Sequence, residues 1–596
     1  MAKDGPRSEY QARLTQRRQA AQDHDRHDRA VALARLMTAA AAVFLAFFAW
    51  RSEAVSWWWL ALPAVVFLGL WIVHGRILEG RRRAERAVEF YFRGLGRIDD
   101  EWIGSGSRGD SFLNDDHPYA ADLDLFGDGS LFQLLSLART RSGEETLASW
   151  LCAPSAPGVI RGRQEAVDKL KGNLDLREDL SILGEEVDVA IHPSSMKDWG
   201  VAPPILNRLW LRYVAIGSGL LSLLALIGWM FFSTGPWPSL VLWTLQSILA
   251  LVLRRGVRQV TGSLEDPERD LELLSRILTR LEEEQFQGGR LGELSASLET
   301  GGVPPSRAIR RLARLTDLLN AMHNQLFAPF GLLLMWTTQF AFAIEEWRQN
   351  YGGEISGWLD AVGEFEALSS LAGYAYEHPV DPFPEIVEDR FLVDGVDLGH
   401  PLLSAARCIR NDVRLDSSLK LLVVSGSNMS GKSTLLRTLG VNVVLALAGA
   451  PVRARSLKLS PVAVGATLRI QDSLQEGSSR FYAEITRLRQ IMERTGGELP
   501  VLFLIDEILA GTNSHDRAIG AAGLIRGLLD RSAAGLVTTH DLALAKLADD
   551  LGDLAANVHF EDHLSDGMME FDYRLRPGVV RKSNALELMR SIGLDV

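Results

Sequence analysis

Two short runs of this chain hold residues of the types, and in the order, that handle a phosphate. The first is Gly426-Ser427-Asn428-Met429-Ser430-Gly431-Lys432-Ser433-Thr434, which satisfies G-x-x-x-x-G-K-[ST] in full. Gly426 and Gly431 allow the backbone to turn its N–H groups towards phosphate oxygens, and a following helix adds partial positive charge at its N-terminus. Lys432 would reach the β- and γ-phosphates of a nucleoside triphosphate, and the Ser433 hydroxyl would ligate Mg²⁺. The second run is Val501-Leu502-Phe503-Leu504-Ile505-Asp506-Glu507. Asp506 is suited to hold Mg²⁺, directly or through water, and Glu507 to polarise an attacking water. Gly535 to His540 ends the same way, in Thr538-Thr539-His540, which makes His540 a candidate for sensing the γ-phosphate or orienting the water.

These groups need elements to position them. Leu419–Ser425 is short and β-branched and reads as a buried strand, while Leu435–Ala448 is apolar, free of proline and reads as a helix. Strand, glycine loop and helix is the setting in which the first motif means a phosphate cradle. Val501–Ile505 and Gly535–Thr538 read as further buried strands. Pro379, Pro382 and Pro384 mark a linker, so the catalytic domain is expected over 376–596.

Upstream the chain is different. Leu36–Trp50 and Val55–Val73 are uncharged, as are Val214–Phe232 and Ser239–Leu253. A bilayer needs about 20 apolar residues per helix, so each pair is expected to form a transmembrane hairpin, with buried core helices as the alternative. Arginines cluster at the outer ends (Arg35, Arg76, Arg81, Arg208, Arg212, Arg254) and are nearly absent from the turns, which orients both hairpins to start and finish in the cytoplasm. The expected division is 1–117 with the first hairpin, 118–375 as a helical region interrupted by the second, and 376–596. Residues 1–30 read as a frayed polar helix, and Leu326–Ile344, with Pro329 and Gln339, as a buried helix of the soluble body. Arg307, Arg310, Arg311 and Arg314 share one helical face, suited to phosphates, lipid headgroups or simply solvent. The formal charge of −12 gives no global field for nucleic acid, so any such site must be local, and two cysteines, Cys152 and Cys408, support no disulfide framework.

The order of motifs resembles the ATPase domain of the MutS family, the mismatch-repair clamp ATPases within the ABC-type class. Gly426–Thr434 is similar to the family's G-P-N-M-x-G-K-S-T, with Ser427 in place of proline. Asp506–Asp516 resembles D-E-I-G-R-G-T-S-x-x-D, with Leu509-Ala510 where Gly-Arg is usual. Gly477–Glu484 resembles G-x-S-T-F-x-x-E, with Arg480 in place of threonine, and Thr539-His540 and Tyr573–Gly578 match the family's T-H and Y-x-L-x-x-G. Gly399–Leu402 and Asn411-Asp412 resemble the lead-in to the nucleotide domain, which makes Asn411 a nucleotide-binding candidate.

The resemblance implies an α/β P-loop (ABC-type) ATPase domain at the C-terminus, preceded by an all-α core and lever region that here carries the hairpins. It implies ATP and Mg²⁺ as cofactors and a homodimer with composite sites, Ser479 reaching the partner's γ-phosphate. It also implies contact with DNA, not specific for mismatches, because nothing at the N-terminus resembles the family's mismatch reader. Where the family inserts a DNA clamp, this chain offers the hairpin at 214–253. Three readings follow: a membrane-anchored MutS-type ATPase on DNA, a membrane ATPase or scaffold on this fold with a protein partner, and an ABC transporter. The last lacks L-S-G-G-Q. The expected location is the inner or cytoplasmic membrane, multi-pass, with the ATPase domain in the cytoplasm.

Overall fold

The structure, a computed structural model, describes residues 4–51, 56–183, 193–208, 210–262, 268–298, 302–323, 327–427, 429–468, 480–509, 514–540, 542–565 and 568–580. It divides into two compact units. One comprises residues 1–135, 373–446 and 450–596; the other comprises 136–372 and 447–449. This differs from the three consecutive segments expected, because residues up to 135 pack with the C-terminal α/β domain.

In the first unit, helices α1 (Asp4–Arg51) and α2 (Ala61–Ile98) form an antiparallel pair. The polar start of α1 does not fray but continues unbroken into the apolar run. At the polar end Tyr10 is buried against Phe90 and Tyr91, with ring centroids 5.5 Å apart for the two tyrosines. Gly94 makes room, since a Cβ there would stand 2.5 Å from the Tyr10 ring. Below this, Arg97 donates to both Glu377 carboxylate oxygens at 2.7 and 2.6 Å, and the Tyr10 hydroxyl donates to one of them. The other end is apolar and bare: Leu36, Phe44, Trp50, Trp58 and Phe67 are all exposed. Residues 117–126 then dock on the α/β domain, where Leu468 N donates to Asp122 at 2.6 Å and Arg487 donates to the His117 carbonyl at 2.9 Å.

The second unit is helical. Helix α3 (Arg141–Cys152) and two further helices over 157–183 lead to the apolar hairpin α4 (Trp210–Phe232) and α5 (Trp237–Gly262). Then come α6 (Glu268–Glu282), α7 (Pro305–Asn320), α8 (Ala328–Leu333), α9 (Trp336–Tyr351) and α10 (Ile355–Glu377), the last ending in the first unit. Helix α7 buries Ile309 and Leu312 and is tied down where Trp347 Nε1 donates to the Ala308 carbonyl at 2.8 Å. Its opposite face presents Arg307, Arg310, Arg311 and Arg314, all exposed. The run 326–344 is not one buried helix. Met335, at φ 52°, breaks it into α8 and α9; α9 is largely buried, whereas α8 exposes Phe330 and Leu332 beside the hairpin. Together with α1 and α2, α4 and α5 make four helices among the described residues that are long and apolar enough to cross a membrane.

Among the described residues the α/β domain has ten strands: β1 (Glu385–Ile386), β2 (Leu392–Leu398), β3 (Asn411–Asp416), β4 (Leu421–Ser425), β5 (Ser456–Leu459), β6 (Ala463–Thr467), β7 (Val501–Ile505), β8 (Ala534–Thr539), β9 (Ala555–Ser565) and β10 (Met568–Pro577). A small sheet runs β1-β5-β2-β3 and a larger one β10-β9-β4-β8-β7-β6. In the larger sheet β9, β4, β8, β7 and β6 are parallel and only β10 is antiparallel. Every residue of β4, β7 and β8 is buried, which is why these strands read as continuous hydrophobic runs. Ser425 pairs with Thr539 and Ile505 with Val537, so their C-terminal ends lie side by side.

Glu366 on α10 caps the start of α3. It accepts from Arg139 N at 3.0 Å, from Thr140 N and from the Thr140 hydroxyl. Burial nevertheless pushes its carboxyl up to about 7, against those hydrogen bonds and the Arg139 charge. A raised carboxyl binds its proton in the folded state after the unfolded chain has lost it. The resulting stabilisation is full below about pH 4.5 and disappears as pH rises through about 7. The unfolding midpoint of the helical unit should therefore fall across that window. Glu366→Gln should flatten the fall, an effect on the order of 1–3 kcal/mol. Parallel slopes for the two proteins in thermal scans at stepped pH would contradict this.

Candidate active site

The strand ends of the larger sheet meet the glycine loop. Gly426 has φ 153°, and a Cβ there would approach the Ser430 hydroxyl to 2.7 Å. Met429 at φ 69° and Gly431 at φ 102° complete the turn, and helix α11 (Lys432–Ala448) starts directly after it. Lys432 folds back over the loop, its Nζ donating to the Gly426 and Ser427 carbonyls at 2.8 Å each. Burial pulls its ammonium pKa down, while the Glu507 and Asp506 charges hold it up. The hydroxyls of Ser427 and Ser430 are buried and have no hydrogen-bond partner among the described residues.

Across the loop, the Ser433 hydroxyl donates to Asp506 Oδ2 at 2.6 Å, and the Thr538 hydroxyl donates to Asp506 Oδ1. Glu507 N donates to the same Thr538 oxygen at 2.9 Å. Glu507 and Leu509 both take left-handed backbone, φ 47° and 55°, and Leu509 N is held by the buried Glu484 carboxylate. His540 Nδ1 stands 3.8 Å from Glu507 Oε1, with its ring half exposed. Lys432, Ser433, Asp506, Glu507 and His540, brought together from sequence alone, are thus neighbours.

A cavity of about 890 Å³ opens over Lys432, Ser433 and Glu507, lined by Met429, Gly431 to Thr434 and Glu507 on one side. Its other walls are His400, Leu403, Ile409, Phe560 and Tyr573, a mostly apolar lining of a size that takes a small organic ligand. Burial, with Arg437 and Arg453 nearby, pushes His400 down to about 4, so its ring is neutral at physiological pH. Among the described residues no group of three or more His, Cys, Asp or Glu could hold a metal by itself. The Ser433 and Asp506 oxygens, bonded to each other here, would make a partial ligand set for Mg²⁺, which usually completes its shell with waters and substrate phosphates.

Asn411 also lines this cavity, but its side chain is committed elsewhere: it donates to the Tyr573 carbonyl at 3.0 Å and accepts from Leu575 N at 2.7 Å. It fastens β3 to β10 and so fixes the wall that carries Tyr573. Asn428, Ser479 and Gly511 to Asn513 lie outside the described residues. Sequence reasoning assigned nothing to Thr538, which supports both acidic residues; its signal was a strand ending in two hydroxyls ahead of His540.

Residues 422–595 match the family model of MutS domain V. Among curated proteins, Endonuclease MutS2 of Thermus thermophilus is 34% identical over 203 residues, covering 33% of this chain and 25% of that protein. Endonuclease MutS2 of Lactococcus lactis is 29% identical over 352 residues, covering 59% of this chain and 43% of the relative. A probable DNA mismatch repair protein Msh6 of Drosophila melanogaster is 28% identical over 311 residues, which is 50% of this chain and 25% of that protein. The chain therefore spans less than half the length of these relatives. The domain match and the gathering of Lys432, Ser433, Asp506, Glu507 and His540 at the strand ends agree: residues 422–595 of this chain are a MutS domain V.

Proposed function

We propose that the chain is a membrane-anchored ATPase of the MutS type, which uses Mg²⁺-dependent ATP hydrolysis to switch a homodimer that contacts DNA without reading mismatches. One observation carries the enzymatic part: Lys432, Ser433 and Glu507 line one cavity beside a glycine loop, with Asp506 hydrogen-bonded to Ser433 and His540 Nδ1 3.8 Å from Glu507. The unsatisfied hydroxyls of Ser427 and Ser430 suit phosphate oxygens, and among the described residues Lys432 Nζ is held by the Gly426 and Ser427 carbonyls alone, which phosphate oxygens can replace. Ser433 and Asp506 would hold Mg²⁺, which supplies charge neutralisation on the phosphates. Glu507 would take the proton of the attacking water, with His540 beside it. Ser479 is assigned to the partner's nucleotide, making the site composite.

The membrane part rests on four apolar helices that leave Phe44, Trp58, Phe231 and Val252 exposed, with arginines flanking both hairpins on one side. It assigns the protein to the inner or cytoplasmic membrane, with the ATPase domain in the cytoplasm. The DNA part rests on relatives named for endonuclease and mismatch-repair roles and on the exposed arginine face of α7. A lipid surface is the competing use of that face.

Lys432→Ala should abolish ATP binding and turnover, whereas Glu507→Gln should bind ATP normally and turn it over about 10²–10⁴-fold more slowly. Nucleotide titration and phosphate release on the two variants decide it: equal loss of binding would remove the division of roles. For DNA, four phosphate contacts give a log–log salt slope of about −3 to −4. Replacing Arg307, Arg310, Arg311 and Arg314 by Gln should flatten that slope and leave DNA-free ATPase activity intact. If wild-type DNA retention is unmeasurable at low salt while lipid binding is lost in the variant, the face serves the membrane.

A further inference from the structure

We propose that the cavity between α5 and the α8–α9 break is a binding site for an anionic phospholipid, with its acyl chains in the apolar depth and its phosphate at Arg254 and Arg258. The proposal rests on the membrane reading above. The cavity measures about 910 Å³, within the range of about 300–1,000 Å³ typical of ligand pockets. Trp243, Ala250 and Val257 of α5 form one wall; Phe330 and Leu333 of α8 and Trp336 of α9 face them.

Its polarity is graded along one helix. The lining runs from Trp243 to Arg258, about 22 Å at 1.5 Å per residue. That exceeds one leaflet of the apolar layer, about 15 Å, so acyl chain and headgroup fit lengthwise. Among the described residues no charged one lines the deep end. Arg254 and Arg258 lie one turn apart on the same face, both exposed and without an acidic partner among the described residues. The walls are too apolar to reward a free phosphate, and the two arginines match a phosphodiester better than a neutral acyl ester.

The depth of the facing wall agrees. Gln246 Nε2 donates to the Leu333 carbonyl at 3.2 Å, and Gly219 lets Leu334 come so close that a Cβ would stand 3.1 Å from its carbonyl oxygen. Gly219 and Gln246 lie seven and eight residues inside Arg212 and Arg254, about 10–12 Å along their helices. At that level α8 turns Phe330 (59% exposed) and Leu332 (71% exposed) outwards, as the apolar faces of α4 and α5 are. The broken segment therefore lies within the apolar layer and walls off a compartment beside the hairpin.

The test uses the full chain reconstituted in phosphatidylcholine bilayers with and without phosphatidylglycerol, then detergent-extracted and examined by native mass spectrometry for retained lipid. Wild type should retain phosphatidylglycerol in preference to phosphatidylcholine. Arg254→Gln with Arg258→Gln should weaken that retention roughly 25-fold, about a factor of five per arginine. Ala250→Trp, which fills the cavity, should abolish it, with an unchanged circular-dichroism spectrum and unfolding midpoint reporting an intact fold for each variant. Equal retention of both lipids, or retention by the filled variant, overturns the proposal, as does loss of dimer rather than of lipid in Ala250→Trp, which would make the occupant a second copy of the chain. Carbonate extraction of wild-type membranes separates the two readings: a chain that stays in the bilayer but holds no phosphatidylglycerol refutes the lipid site alone, and a chain released by carbonate refutes the membrane reading as well.

Discussion

The Asp506 carboxylate joins three elements at the site. Its two oxygens accept from Ser433 at the start of α11 and from Thr538 near the end of β8, while its own N–H is fixed by the Thr467 carbonyl at the end of β6. Because β4, β8 and β7 pair in parallel register, their ends fall at one level, and a single short side chain spans the gap. The next residue inherits that placement. Glu507 sits in left-handed backbone, a conformation costing on the order of 1–3 kcal/mol for a residue with a side chain. It is held there by Thr538 on its N–H and by Glu484 two residues on. The strain turns the carboxylate into the cavity and towards His540, where a strand continuing straight would carry it past.

A fully buried charge organises another part of the first unit. Glu377 closes α10, is fully buried, and is met by Arg97 from α2 and Tyr10 from α1. Removing one partner of such a pair typically costs about 3–5 kcal/mol, because the other is left uncompensated. The geometry fixes where α1 and α2 meet the chain that leads into β1. From Arg76 to Arg97, α2 runs about 32 Å, so on the membrane reading the α/β domain stands well below the bilayer, on a stalk rigid at its base.

Much of this was legible in the sequence, for physical reasons that also explain what was not. Strands β4, β7 and β8 are buried on both faces, so they read as uninterrupted apolar runs, and the glycine loop declares itself by residue types that only a phosphate cradle requires. Helix α1 did not declare its continuity. Its polar half has no apolar stripe, because it is held by one aromatic cluster around Tyr10 and by ion pairs to α2 such as Arg81 to Asp25. The break at Met335 carries no glycine or proline, so local propensity gave no warning; the contacts of Gln246 and Gly219 with α8 enforce it. The docking of 117–126 depends on partners more than 300 residues away, such as Leu468 for Asp122 and Arg487 for His117, which no periodicity encodes. Asn411 was read as a ligand-binding residue because its motif borders the nucleotide domain. An amide matches the two free backbone groups of β10 equally well, and that is where it is spent.

Net charge and local charge point in opposite directions in this protein, and the screening length decides which matters. With −12 overall, a distant polyanion is repelled, but at physiological salt that field decays over about 8 Å. Inside that distance a ligand meets only the nearest side chains. Both uncompensated basic faces, Arg307 to Arg314 on α7 and Arg254 to Arg258 on α5, belong to the helical unit, whereas the nucleotide groups belong to the other. On the proposed function, anion contact and ATP chemistry therefore fall to different units, and two helices carry the chain from one to the other: α10, which ends at Glu377, and α11, which ends at Ala448. A helix transmits displacement along its axis with little loss. On that reading ATP state reaches the basic faces along the chain where it passes between units, and one such passage, α11, begins at Lys432 itself.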